Sequence, residues 1–293
     1  MNRLDDVHAY PIREFARLTN VNPVTLRAWE RRYGIIRPER TEKGHRFYTE
    51  QHIQQVRNIL YWLDQGYPIR QVKSLLKDDA PRGMQEEDDE WTERRARLLN
   101  AATQLSMHQL DKLWSDGFSS YPVAVYFDFC LLPVIRSLRA DSSHPAIVKG
   151  FEYALKQKLS SLLHMQQLAC SGDSVLCCCT HPLAELSTLA AACALGGAEY
   201  QVDYFGPELS SEDAGYLSES GRWQALWLQF HPLVEDTTEQ RWTEQLSSSE
   251  LALYCSDLSD SCNSQSKQIR AMKGSLSQQI RQFIQCQKQG DMQ

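Results

Sequence analysis

Asn22-Pro23 leaves this chain little freedom: an Asn able to cap a helix stands before a Pro whose fixed φ suits the first helical position and no interior one. Upstream, Pro11 opens a short pattern whose apolar face is Ile12, Phe15, Ala16 and Leu18, broken at Thr19 and Asn20. Downstream, Leu26, Trp29 and Tyr33 fall on one side of a helix, and Val24, Thr25, Arg27, Ala28, Arg31 and Arg32 on the other. Two short helices joined by a tight turn are predicted, the second presenting guanidinium groups among small side chains, as insertion into a major groove requires. A charged helix face is ordinarily just a solvated one, so the next segment matters. Ile35-Ile36-Arg37-Pro38 leaves the helix, and residues 39–48 read as a hairpin turned at Gly44, with Arg40, His45 and Arg46 on its arms. A third helical pattern (Ile53, Val56, Ile59, Leu60, Leu63) stops at Gly66 and Pro68, and a fourth carries Ile69, Val72, Leu75 and Leu76.

The net charge of -6 over 293 residues speaks against a nucleic-acid partner only as an average. Up to residue 78 there are 14 basic and 9 acidic side chains, net +5, and beyond it 17 basic and 28 acidic, net -11. A basic head on an acidic body is thus expected, the head suited to polyanions. With 42% hydrophobic and 23% charged residues, the chain reads as a soluble protein of two or three domains. It has no run near the roughly 18 apolar residues of a membrane span, and MNRLDDVHAY lacks the apolar stretch of a signal peptide, so a cytoplasmic, nucleoid-associated location without membrane contact is expected. The nine Cys form no CxxC pair, which favours reduced thiols over zinc sites or disulfides. No nucleophile elbow, P-loop or HExxH is present, so no catalytic residues and no enzyme activity are expected.

The string NPVTLRAWERRYGIIRPERTEKGHRFYTEQHIQQVRNILYWLDQGYPIRQVKSLL resembles the winged-helix head of the MerR family of transcription regulators, a likeness covering residues 10–76 without a gap. Within that family, LRAWERRYG and GHRFY are similar to the branch that includes cobalamin-dependent photoreceptors. The resemblance implies double-stranded promoter or operator DNA as partner, a homodimer on an inverted repeat, DNA distortion, and RNA polymerase as a further partner. The candidate DNA-contacting set is Asn22, Val24, Thr25, Arg27, Ala28, Arg31 and Arg32 on the second helix, with Arg40, Lys43, His45 and Arg46 on the hairpin. One departure is His52, where the family has an acidic residue opening the third helix, which puts the local cap in question.

The domains expected are an all-α MerR-type winged helix-turn-helix head (8–77), an acidic linker rich in Pro and Gly (78–90), a helical bundle (91–171), an α/β flavodoxin-like domain (172–255) and a polar tail or helix (256–293). The α/β reading rests on the alternation of SVLCCCT, YQVDYFG, WQALWLQF and LALYCS with helical segments. Cys177, Cys178 and Cys179 would alternate between sheet faces and so cannot converge on one metal; a redox switch there is a weaker idea. After LALYCS the chain turns polar, leaving the sheet one strand short. The last segment still carries a helical stripe of Ile269, Met272, Leu276, Ile280, Phe283 and Ile284.

Bundle and sheet behind such a head resemble the cobalamin-binding half of the light-sensing branch, whose D/E-x-H-x-x-G pattern ligates cobalt. Here Ala184 stands where that His belongs and Ser187 where the Gly belongs, with His181 three residues earlier. The bundle offers Val148 and Lys149 in place of the branch's Glu-His, and no Trp ahead of them. A degenerate cobalamin-type body with no cofactor or metal is therefore expected, serving oligomerisation or effector sensing; its resemblance to a branch of the family that keeps the domain shape without these motifs implies an activator of biofilm-matrix or related genes. The alternatives are a cobalamin-dependent sensing regulator and, in another class, a corrinoid-carrying methyltransferase component.

Overall fold

The computed structural model describes residues 9–41, 44–76, 90–141, 144–168, 170–207, 209–231, 241–242, 244–246, 251–256 and 269–290, with residues 289 and 290 described by backbone only. Lys43 and the linker at 78–89 lie outside these residues. The chain divides into two compact units, Met1–Gly150 and Phe151–Gln293.

In the first unit, β1 (Tyr10–Pro11), α1 (Ile12–Thr19) and α2 (Pro23–Ala28) follow in order, and α2 runs on through a wider π-type turn, Trp29–Tyr33. Asn22 caps α2, its Oδ1 accepting the Val24 N–H at 2.8 Å, and Gly34 ends the π-turn at φ 57°, a left-handed conformation that costs glycine nothing. β2 (Glu39–Arg40) and β3 (Arg46–Tyr48) form an antiparallel hairpin, and β1 adds to the other side of β3. α3 (Glu50–Asp64) and α4 (Ile69–Leu75) complete the head. Phe15, Leu26, Trp29, Ile36, Tyr48, Val56, Ile59 and Leu63 are all fully buried, and the Phe15 and Tyr48 rings stack at 4.0 Å. Each such side chain stabilises the core by about 1.5–3 kcal/mol.

His52 resolves the question raised by its position. Its Nδ1 accepts the Thr49 N–H at 3.0 Å, and its Nε2 lies 2.9 Å from the Arg37 carbonyl. An acceptor Nδ1 leaves the proton on Nε2, so the imidazole does at this helix start what a carboxylate does in a capping box, and adds a donor to the preceding loop.

The same unit continues through α5 (Glu90–Thr103), α6 (Met107–Ser120), α7 (Val123–Tyr126) with a π-turn Phe127–Leu131, and α8 (Leu132–Ala140). These helices are locked to the head. The Trp29 indole N–H donates to the Ser120 carbonyl at 2.8 Å, that of Trp91 to the Gly66 carbonyl at 2.8 Å, and the Tyr121 hydroxyl accepts the Ile69 N–H while donating to Glu90.

α9 (Pro145–Gln167) crosses the division at 150/151, whereas the sequence suggested a boundary after 171. The reason lies in its second half, where Leu159 and Leu163 are buried and the Leu159 carbonyl accepts from Cys193 of α10 (Glu185–Gly197). The second unit is built on a five-stranded parallel sheet: β4 (Ser174–Cys179), β5 (Gln201–Tyr204), β6 (Ala225–Gln229), β7 (Ala252–Ser256) and β8 (Ile269–Met272), in spatial order β5-β4-β6-β7-β8. That order reverses at β4, which places a topological switch point between β4 and β6. On one face Leu176 and Cys178 pack with Trp223, Leu226, Leu228 and Trp242, beside Leu217 of α11 (Ser211–Ser218). α12 (Leu276–Gly290) packs with α10, and its fully buried Phe283 meets the Trp227 and Tyr254 rings.

Two corrections follow. The sheet is not a strand short, because β8 pairs with β7 in parallel register from Leu253↔Ile269 to Ser256↔Met272. Ile269 and Met272 accordingly belong to that strand and not to a helical stripe, while Leu276, Ile280, Phe283 and Ile284 do line a packed helix. In the sequence, the polar run at 257–268 leaves no apolar signal ahead of Ile269 to announce this strand.

Candidate nucleic-acid interface

The residues expected to meet DNA divide into three groups. Val24, Arg27 and Arg31 are exposed on α2 and its continuation, and among the described residues neither guanidinium is held in an ion pair. Arg40, His45 and Arg46 sit on the hairpin, organised by one carboxylate: Glu30 Oε2 takes Arg46 Nε at 2.7 Å, and Oε1 takes Arg40 Nη2 at 3.2 Å. The hydrogen bond and charge of Glu30 raise the Arg46 pKa against the opposing effect of burial. Arg40 also donates to the Gly44 carbonyl across the turn, where Gly44 sits at φ +81°. Glu30 thus ties the hairpin to the helix beside it, a role that composition conceals because the residue sits among arginines.

The third group is turned inward. Thr25 and Ala28, placed on the outward face by the helical wheel, are buried at 1% and 3% exposure, because α2 packs against α6 as well as against the head's own core. A wheel divides a helix into two sides and cannot register a second packed side. Asn22 spends its side-chain oxygen on the cap. Arg32 points to α6, its Nη1 lying 2.6 Å from Asp116 Oδ1 and 3.1 Å from Ser120 Oγ. Asp116 Oδ2 in turn accepts from Arg94 Nη1 at 3.0 Å, and Arg94 Nε bonds Glu90 at 2.9 Å. Burial alone would raise the Asp116 carboxyl, but Arg94 and then Arg32 outweigh it and hold the pKa below its ordinary value.

In the second unit, Ala184 is buried in a single 3-10 turn, Pro182–Ala184, and the Ser187 hydroxyl donates to the Ala184 carbonyl at 2.8 Å. His181 Nδ1 accepts the Leu183 N–H at 3.1 Å, and its ring stacks on His231 at 5.2 Å, beyond the carboxyl ends of β4 and β6. Cys177, Cys178 and Cys179 are buried, and burial raises all three thiol pKa values. Among the described residues no group of three or more His, Cys, Asp or Glu could hold a metal ion, and no helix is long and apolar enough to cross a membrane.

A short capped helix, a charged continuation and a hairpin fastened to it define a helix-turn-helix head, and residues 10–79 match the family described as MerR HTH family regulatory protein. The chain is similar to the HTH-type transcriptional regulator MlrA of Salmonella typhimurium, with 37% identity over 131 residues, 44% of this chain and 52% of MlrA. It is also similar to the HTH-type transcriptional repressor CarH of Myxococcus xanthus, 27% identical over 219 residues, 70% of this chain and 73% of CarH. The chain spans about half the length of the MlrA relatives it matches. Among solved structures, a cobalamin-binding protein from Desulfitobacterium hafniense aligns with a TM-score of 0.35 and 8% identity, over 66% of this chain and 97% of that one; the fold above rests on its own strand order.

Proposed function

We propose that this protein is a sequence-specific, double-stranded-DNA-binding transcription regulator, acting in the cytoplasm at the nucleoid and without enzymatic activity. The observation that carries this reading is the exposed pair Arg27 and Arg31, one helical turn apart, next to a hairpin whose Arg40 and Arg46 are oriented by Glu30. Guanidinium groups so placed can take guanine O6 and N7 as a fork, while the hairpin arginines hold backbone phosphates. Exposed His45 joins the hairpin contacts, and Lys43 is assigned to them from its place in the sequence.

A single head covers a short half-site, so the protein works as a homodimer on an inverted repeat, distorting the promoter and presenting it to RNA polymerase. The similarity to the transcriptional regulator MlrA supports a regulator, and the resemblance read from the sequence extends this to an activator of biofilm-matrix or related genes. The second unit and the helices before it serve oligomerisation or effector sensing. The resemblance of the body to the cobalamin-binding branch of the family raises a cobalamin-dependent reading, which the residues do not favour. Ala184 and Ser187 offer no imidazole, and His181 has its Nδ1 committed to the Leu183 amide.

Genome-wide mapping of DNA bound by the full chain tests the proposal, with enrichment of an inverted-repeat motif upstream of genes expected. Diffuse binding that follows only AT content would overturn it. Incubation with cobalamin in the dark followed by gel filtration is expected to leave the protein colourless; retained visible absorbance would restore the cofactor reading.

A further inference from the structure

A cleft of ≈ 440 Å³ opens in the first unit, lined by Arg32, Tyr33, Arg70, Lys73, Arg94 and Asp116. Four cationic side chains meet there, from the end of the α2 continuation, from α4 and from α5, with Asp116 in the lining and Glu90 beside Arg94 and Arg70. Its size lies within the range of small-molecule sites, but its wall is the opposite of an apolar pocket.

Arg32 and Arg94 fasten the α2 continuation and α5 to Asp116 of α6, and that role leaves donors over. Both bonds of Arg32 leave from Nη1, to Asp116 and Ser120. Lys73 gives one N–H to the Tyr33 carbonyl at 2.8 Å, of the three an ammonium carries. Arg70 stands 3.8 Å from Glu90, beyond hydrogen-bond reach, with 70% of its side chain exposed. Arg94 is the fixed member, with 15% of its side chain exposed and the guanidinium held by Glu90 and Asp116. The two oxygens of Asp116 bridge Arg32 and Arg94, one oxygen to each, which is the way two oxygens of a phosphate group span neighbouring guanidiniums.

We propose that this cleft binds a phosphate oxyanion, held by Arg32 and Arg94 with Arg70 and Lys73 closing over it, and that Asp116 marks the position the oxyanion takes. Its phosphate belongs either to a small phosphorylated molecule or to the backbone of bound DNA. The first source makes the cleft an effector site touching the base of the candidate recognition helix; the second rests on the DNA-binding reading.

Calorimetric titration of the full chain with sodium pyrophosphate, at matched ionic strength and without DNA, tests the first source. Saturable binding with one-to-one stoichiometry is expected, weakened about tenfold or more in the Arg70→Ala/Lys73→Ala variant. Both side chains are exposed, so the thermal unfolding midpoint should not move. Asp116→Asn is expected to tighten pyrophosphate binding severalfold, an effect that a purely structural ion-pair network does not produce. In the second arm, the salt dependence of operator binding is compared between wild type and the double variant. A slope reduced by about two, with no saturable pyrophosphate binding, assigns the site to the DNA backbone. If pyrophosphate does not saturate and the slope is unchanged, or if pyrophosphate binding is indifferent to the double variant, the proposal is overturned. The calorimetric arm is decided whether or not the protein binds DNA, so its failure is distinct from failure of the DNA-binding reading.

Discussion

Glu30 and His52 within the head, and Asp116 on α6 beside it, position the head's side chains, and none of the three stands out in the sequence by charge or by periodicity. Glu30 aims two hairpin arginines, Asp116 holds Arg32, and His52 replaces a carboxylate in a capping box by offering Nδ1 to the Thr49 amide. A cap of this kind is worth about 1 kcal/mol. His52→Ala should therefore lower unfolding stability by about that amount, read in urea titration, and His52→Glu should restore most of it; equal losses in both variants would show that the imidazole works only through the Arg37 carbonyl. Exposed Arg27 and Arg31 were legible as an outward pair because helical spacing is local information. The burial of Thr25 and Ala28 was not, since the helix that covers them lies some ninety residues away: Trp29 and Ser120, the joining pair, are 91 apart.

At the scale of elements, the close approach of α6 and α7 depends on Gly117. A Cβ there would fall inside the Tyr126 ring. Gly117→Ala should destabilise the protein by about 1–3 kcal/mol, the usual cost of overpacking a core, visible as a lower thermal midpoint; an unchanged midpoint would mean the two helices slide apart freely. The strands of the parallel sheet were readable from their apolar runs, and so was the alternation of Cys177 and Cys178 between faces: Cys178 packs with Trp223 and Leu226, Cys177 faces Cys193 of α10. Burial raises these thiol pKa values and so disfavours the thiolate form that thiol exchange uses. β8 escaped because four residues with a half-exposed pattern, after a polar stretch, carry too little periodicity to announce a strand.

Over the whole molecule, the charge division found in the sequence takes on a finer grain. The basic head is not uniformly available to a polyanion: Arg32, Arg40 and Arg46 are already paired with carboxylates, and among the described residues the arginines of the candidate set outside any ion pair are Arg27 and Arg31. The rest of the chain, net -11 beyond residue 78, carries the charge that repels a polyanion. The Asp116 network should also give the first unit a pH signature. A carboxyl whose folded pKa is depressed contributes stability fully above its unfolded value, near about 4, and loses it as pH falls through the lower folded value. The stability difference between wild type and Asp116→Asn should be constant above about pH 5 and shrink toward zero in stronger acid. A difference that persists in acid would place the origin elsewhere.

The central claim is that Arg27 and Arg31 read DNA. The direct measurement is the affinity of the full chain for its mapped operator and for a scrambled duplex at fixed salt, with wild type, Arg27→Ala and Arg31→Ala. Each substitution is predicted to weaken operator binding by about 1–3 kcal/mol while changing affinity for the scrambled duplex much less, so that the ratio of the two affinities collapses. Unchanged operator affinity in both variants, or equal losses on both duplexes, would contradict the account.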